Sequence, residues 1–178
     1  MRDWLKDVWR PGKLSRESIR PVNLRYIHIR SVHKIGISVI TMKIYFCGSI
    51  RGGRQDAEIY ERLIDKLQTY GEVLTEHVGS KDVEKNEIDV SDEYIHDRDV
   101  RWLEESDVVV AEVTQTSIGV GYEIGRAVAM GKKILCLYRP SPDKRLSAMI
   151  SGAHNGTTFV VKNYTEEEAE QIFKDFLT

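Results

Sequence analysis

The chain has 178 residues, 41% hydrophobic and 30% charged, with a formal net charge of −2, which fits one compact domain with its own core. No apolar run approaches the roughly 18 to 20 residues needed to cross a bilayer, so a membrane-spanning helical protein is excluded; runs such as Val108 to Ala111, with Val113 close behind, are strand-sized. Charge is unevenly divided: nine Lys/Arg against three Asp/Glu through residue 41, then 17 against 25. The acidic remainder excludes a general nucleic-acid binder, whose phosphate affinity needs clustered Lys and Arg.

In chain order, the segment through Thr41 has no sustained period of 2 or 3.6 and is expected to be poorly ordered. Tyr26 to Ile29 and Ile35 to Ile40 are its strand-sized stretches. Its basic, hydroxyl-bearing character fits either a mitochondrial presequence or an ordinary tail ahead of a start at Met42. Asp3, Asp7 and Glu17 favour the tail. The expected location is then cytoplasmic or nuclear, with mitochondrial targeting as the alternative.

From Met42 onward short apolar runs alternate with amphipathic stretches, a βαβ rhythm. Lys43 to Cys47 reads as a strand, and Arg54 to Tyr70 as a helix with Ile59, Leu63, Ile64 and Leu67 on one face, stopped by Gly71. Glu72 to Thr75 is the second strand. A polar loop, Gly79 to Val90, leads to Ser91, an N-cap for a helix reaching Ser106. Asp107 to Val113 is a strand apolar on both faces, as a sheet covered by helices on either side requires. Gly121 to Met130 reads as a helix, Lys133 to Tyr138 as the fourth strand, Leu146 to Ile150 as a short helix and Phe159 to Val161 as the fifth strand. The last helix starts at Thr165, with Glu168 completing a capping box and Ala169, Ile172, Phe173 and Phe176 facing inward. Cys47 and Cys136, set among apolar neighbours without metal or disulfide spacing, read as buried thiols.

Five strands joined by right-handed crossovers predict a doubly wound α/β fold, a five-stranded parallel sheet of order 2-1-3-4-5 with helices on both faces. Such a sheet reverses direction between its first and third strands. Ligands bind beyond the carboxyl ends of strands at that reversal, so the loops after Cys47 and Val113 are the expected site.

The first of these loops reads Gly48-Ser49-Ile50-Arg51-Gly52-Gly53-Arg54 and enters a helix. Glycines admit an anion close to the backbone, a helix N-terminus faces it, and Arg51 can supply a charge-assisted bond. A tight turn with an exposed arginine is the alternative. The second runs from Thr114 through Ser117 and Gly119 to Glu123, again glycines and hydroxyls before a helix. Glu123, in the expected first turn, is either a nucleophile facing the crevice or a carboxylate complementing the helix dipole. Asp99 lies on an otherwise apolar helix face between Ile95 and Leu103, where a buried charge needs a function or a partner, Arg51 or Arg54 for example. Tyr45, on a central strand, is either core or a hydroxyl that orients Glu123.

Taken together, Tyr45 to Arg54, Leu74-Thr75-Glu76-His77-Val78, Asp107 to Gln115, Gly119-Val120-Gly121-Tyr122-Glu123 and Leu146-Ser147-Ala148-Met149-Ile150 resemble the 2'-deoxynucleoside 5'-phosphate N-hydrolase family, a branch of the nucleoside 2-deoxyribosyltransferase superfamily. The resemblance covers essentially all of Met42 to Thr178. It implies that Glu123 is the nucleophile, with Asp99 and Tyr45 completing the catalytic group. It implies further that Gly48, Ser49, Ile50, Arg51, Gly52, Ser117 and Gly119 hold a 5'-phosphate, that His77 lies near the base, and that a homodimer brings Ser147 and Met149 into the neighbouring site. The implied substrate is a 2'-deoxynucleoside 5'-monophosphate, cleaved without metal or organic cofactor to free base and 2-deoxyribose 5-phosphate through a covalent glycosyl-Glu intermediate. Asp99 is the group expected to manage the departing base. The polar insertion from Lys81 to Asp89 leaves base preference open. Two rivals remain: a transferase that passes the sugar to a second base, and a regulatory module that binds nucleotide without chemistry.

Overall fold

A computed structural model describes residues 41–83, 87–142 and 144–178. The expectations for the basic segment fall, through residue 40, outside the described residues. The described elements are β1 (Lys43–Cys47), α1 (Ala57–Leu67), β2 (Glu72–Val73), a 3-10 turn (Glu76–Gly79), α2 (Asp92–Glu105) and β3 (Val108–Glu112), followed by α3 (Ile118–Ala129), β4 (Lys133–Tyr138), α4 (Ala148–Ser151), β5 (Phe159–Asn163) and α5 (Ala169–Leu177). The sheet is parallel throughout in the order β2-β1-β3-β4-β5, as the strand and crossover pattern predicts. No helix among the described residues is long and apolar enough to cross a membrane.

The period of two along each strand divides the core. Ile44, Phe46, Val108, Val110, Leu135 and Leu137 face α1 and α5, meeting Tyr60, Leu63, Leu67, Phe173 and Phe176. Tyr45, Cys47, Val109, Ala111, Ile134 and Cys136 face the other way, against Leu103 of α2 and Val120, Ile124 and Ala127 of α3. The three central strands β1, β3 and β4 therefore bury both faces, which accounts for their apolar runs without polar alternation. Both cysteines are free and buried, as read from their neighbours.

Several element ends differ from the sequence reading. Helix α1 begins at Ala57 with Asp56 at its N-cap, because Gly52 and Gly53 occupy a turn that Gly53 completes at φ +124°. Helix α3 starts at Ile118, three residues before the expected Gly121, because the Ser117 hydroxyl accepts the Val120 N–H at 3.4 Å and caps it. Glu123 consequently lies in the second turn, beyond the reach of the dipole argument. At Thr165 only one arm of the capping box forms, the Glu168 carboxylate accepting the Thr165 N–H at 2.8 Å, and α5 itself starts at Ala169.

The sheet is finished at both margins by side chains. Beyond Val73 the Thr75 hydroxyl takes over the ladder, accepting the Phe46 N–H at 2.8 Å and donating to the Phe46 carbonyl at 2.7 Å. On the opposite edge, Asn155 Oδ1 accepts the Phe159 N–H at 2.9 Å and His154 Nδ1 accepts the Val161 N–H at 3.0 Å.

Candidate active site

Beyond the carboxyl ends of β1 and β3, where strand order reverses, lies a crevice of about 590 Å³. Gly48, Ile50, Arg51 and Gly52 line one side, Ser117 and Gly119 the other, and Asp99 and Glu123 lie between them. A smaller lobe of about 140 Å³ continues between α2 and α3, reaching Tyr45, Asp99 and Glu123. The two loops singled out by the switch-point rule thus build one cavity.

Strand alternation turns Tyr45 toward α3, and its hydroxyl donates to Glu123 Oε1 at 2.7 Å. The tyrosine is 1% exposed. Burial raises the Glu123 carboxyl to about 7; the Asp99 charge adds to that rise and the Tyr45 hydrogen bond opposes it. The same burial and the adjoining carboxylates push the Tyr45 phenol far above its ordinary range, so it acts as a fixed donor. The expectation that the helix dipole favours an ionised Glu123 is therefore corrected: desolvation dominates, and the group titrates near neutrality.

The two loops are joined tightly. Gln115 Nε2 donates to the Gly52 carbonyl at 2.9 Å. A β-carbon at Gly52 would stand 2.8 Å from Ser49 Oγ and 3.0 Å from the Thr116 carbonyl oxygen, so only glycine lets the loops approach this closely. Ser49 is fully buried, and its hydroxyl has no hydrogen-bond partner among the described residues. Arg51 reaches across the mouth to Asp92 at 2.8 Å, an exposed pair that water screens heavily. Arg54 instead turns inward as a clamp, donating to the carbonyls of Ser49, Val78 and Ser80 at 3.1, 3.0 and 2.7 Å.

Asp99 is paired with neither Arg51 nor Arg54. Its partner is its neighbour Arg98, whose Nε donates to Asp99 Oδ1 at 2.8 Å while Nη2 donates to Glu87 at 2.8 Å. The guanidinium stacks over Trp102, 4.9 Å from the ring centroid. His77 stands behind this group, 3.2 Å from Arg98 Nη2, in an adjoining cavity with Glu87 and Trp102 and outside the crevice lining. Burial and the adjacent guanidinium lower the His77 pKa, which favours the neutral imidazole. Ser147 and Met149 lie on α4 and its cap. Met149 is 82% exposed, and Ser147 makes no side-chain capping hydrogen bond.

Sequence reasoning passed over Arg98, Glu87 and His96. His96 lines the crevice, with Nε2 2.9 Å from the Tyr122 hydroxyl and Nδ1 2.9 Å from Asp97. Its spacing of three from Asp99, one helical turn, was the available signal. Glu87 lies in a loop without periodicity, and no sequence signal marks it.

The fold is thus an open α/β sheet whose switch-point crevice joins two glycine-rich loops to a hydrogen-bonded tyrosine–carboxylate pair. A family model described as nucleoside 2-deoxyribosyltransferase matches residues 44–171, and the chain belongs to that family. It is 60% identical over 139 residues to 5-hydroxymethyl-dUMP N-hydrolase of Tetraodon nigroviridis, covering 77% of this chain and 98% of that one. With the human protein of the same name it shares 53% identity over 131 residues, 72% of this chain and 75% of the other. Among solved structures, that of Clostridium botulinum CMP N-glycosidase, BcmB, superposes with a TM-score of 0.53 at 20% identity, covering 75% of this chain and 98% of that one, a likeness of fold.

Proposed function

We propose that this protein hydrolyses the N-glycosidic bond of 2'-deoxynucleoside 5'-monophosphates, releasing free base and 2-deoxyribose 5-phosphate. The observation that carries the reading is the single crevice in which the glycine loops adjoin Glu123 and Asp99. Identity above half with relatives named as N-hydrolases of a deoxynucleoside monophosphate supports the same substrate class.

In this reading the 5'-phosphate occupies the cradle of Gly48 to Gly52 with Ser117 and Gly119, drawing on N–H groups at the start of α3 and on Arg51 once it leaves Asp92. Tyr45 fixes Glu123 Oε1, and the second oxygen attacks the anomeric carbon. The bond to the base breaks through an oxocarbenium-like state, and the base leaves with the bonding pair and takes up a proton. Asp99, held by Arg98, faces the departing base. Water then attacks the anomeric carbon, its proton leaves to a base in the crevice, and Glu123 is freed as a carboxylate. A sugar without a 2'-hydroxyl reaches the cationic state more easily, having no electron-withdrawing oxygen beside the developing charge.

The protein acts as a homodimer in this account, with Ser147 and Met149 completing the neighbouring crevice. Support comes from the exposure of Met149 and from exposed Ile118, Tyr122 and Val128 along α3, apolar surface that a second copy would cover. The test is base release from a panel of 2'-deoxynucleoside 5'-monophosphates, with ribonucleotides and unphosphorylated deoxynucleosides as controls and a second free base added in parallel. Release from the phosphorylated deoxy compounds, unaffected by the added base, is the expected result. Exchange of bases would favour the transferase, and binding without release would favour the regulatory module.

A further inference from the structure

At the carboxyl end of β3 sits a carboxylate to which the chemistry above gives no part. Glu112 is 0% exposed. Its Oε1 accepts from the Thr114 hydroxyl, from Tyr164 Oη at 3.2 Å and from Arg139 Nε at 3.4 Å, while Oε2 accepts the Thr114 N–H at 3.2 Å. Burial raises its pKa, and Arg139 and the Thr114 bonds oppose the rise. Arg139, just beyond β4, also reaches Asp56 at 2.5 Å, and its backbone N–H donates to the Thr114 hydroxyl at 2.8 Å.

These contacts form a closed path through both walls of the crevice. Asp56 caps α1, the helix entered directly from the loop of Gly48 to Arg54. Arg139 joins Asp56 to Glu112, Glu112 holds Thr114, and the next residue, Gln115, donates to the Gly52 carbonyl. The loop after β1 is thereby fastened at Gly52 and at Asp56. The loop after β3 is fastened where it leaves the sheet. A buried ion pair is weak evidence of added stability, since desolvation offsets much of its attraction, but it is a device for fixing one geometry. An anion cradle made of backbone N–H groups depends on such fixing, because ordering a loop at the moment of binding costs affinity.

We propose that Glu112 and Arg139, with Asp56, are positioning residues that hold the two anion-binding loops at their working separation. They act on the 5'-phosphate through the loops and touch no substrate themselves. This rests on reading the crevice as a phosphate cradle.

The experiment compares the full-length protein with Glu112→Gln and Arg139→Lys, following base release from a 2'-deoxynucleoside 5'-monophosphate, inhibition by inorganic phosphate, and thermal melting. Glutamine keeps the shape at position 112 without the charge, and lysine keeps the charge at 139 without the fork that spans two carboxylates. In both, KM and the inhibition constant for phosphate should rise together by roughly tenfold while kcat changes much less, as expected when binding geometry is lost and the reacting groups are untouched. A lowered melting temperature with KM and phosphate inhibition unchanged would overturn the proposal and leave the group as a fold brace. Should either variant fail to fold, Asp56→Asn, at the margin of the group, must show the same paired rise or the proposal falls. A wild-type enzyme indifferent to inorganic phosphate, handling phosphorylated and unphosphorylated substrates alike, would instead sink the cradle reading itself.

Discussion

In the proposed mechanism Glu123 is both the nucleophile and a pH-dependent cost to the fold. A carboxyl raised to about 7 in the folded protein from an ordinary 4.5 binds its proton more tightly folded than unfolded. Its contribution to stability is full below the unfolded value and is lost as pH rises through the folded one, amounting to about 3 kcal/mol across that window. Glu123→Gln should therefore melt higher than wild type at pH 8, by a margin that closes toward pH 5, which parallel melts will show. Activity runs the other way, because attack needs the ionised form: kcat/KM should climb with pH, half-maximal near 7. The two neighbours then separate by sign. Tyr45→Phe removes a bond that favours the charged form and should move that midpoint upward, whereas Asp99→Asn removes a repelling charge and should move it downward, in whatever residual activity each retains. A midpoint that stays put in both variants would detach Glu123 from the pH profile.

At the scale of elements, the approach of the loops after β1 and β3 is a tight constraint. Gly52→Ala places a methyl 2.8 Å from Ser49 Oγ and 3.0 Å from a backbone oxygen of Thr116, and only the first can move at small cost. The expected result is a loss of about 1–3 kcal/mol in unfolding free energy and a KM for phosphorylated substrate raised more than that for its unphosphorylated counterpart, read from melts and paired kinetics. Most elements were legible from pattern because buried parallel strands are short apolar runs set between amphipathic helices. The start of α3 was not, because Gly119 and Gly121 read as loop while the Ser117 cap and the packing of Val120 and Ile124 override that weak propensity. Likewise the pattern extends β2 to Thr75, beyond its observed end at Val73, since Thr75 continues the ladder with its side chain, an arrangement indistinguishable in sequence from a strand residue. Within the site, the meeting of Tyr45 with Glu123, 78 positions apart, followed from topology and resemblance together. That Asp99 takes Arg98 was illegible, because adjacent helical residues ordinarily point in different directions and contacts remote in sequence, Glu87 above all, hold the guanidinium beside Asp99.

For the whole molecule, the exposed Met149 and the apolar line along α3 are the features a lone copy leaves unexplained. Met149→Lys should abolish dimerisation, read by light scattering after size exclusion, and should lower activity in a way that wild-type protein reproduces on dilution. A wild-type monomer with concentration-independent activity would refute the shared site. The manner of any such pairing is already narrowed at the sheet margins. Asn155 and His154 occupy the outward N–H groups of Phe159 and Val161, and β2 offers only two residues on the other side. An incoming strand therefore finds almost no backbone to zip onto, which guards against runaway stacking of copies into fibres. A dimer of the proposed kind would therefore have to form through helix surfaces, not through sheet edges.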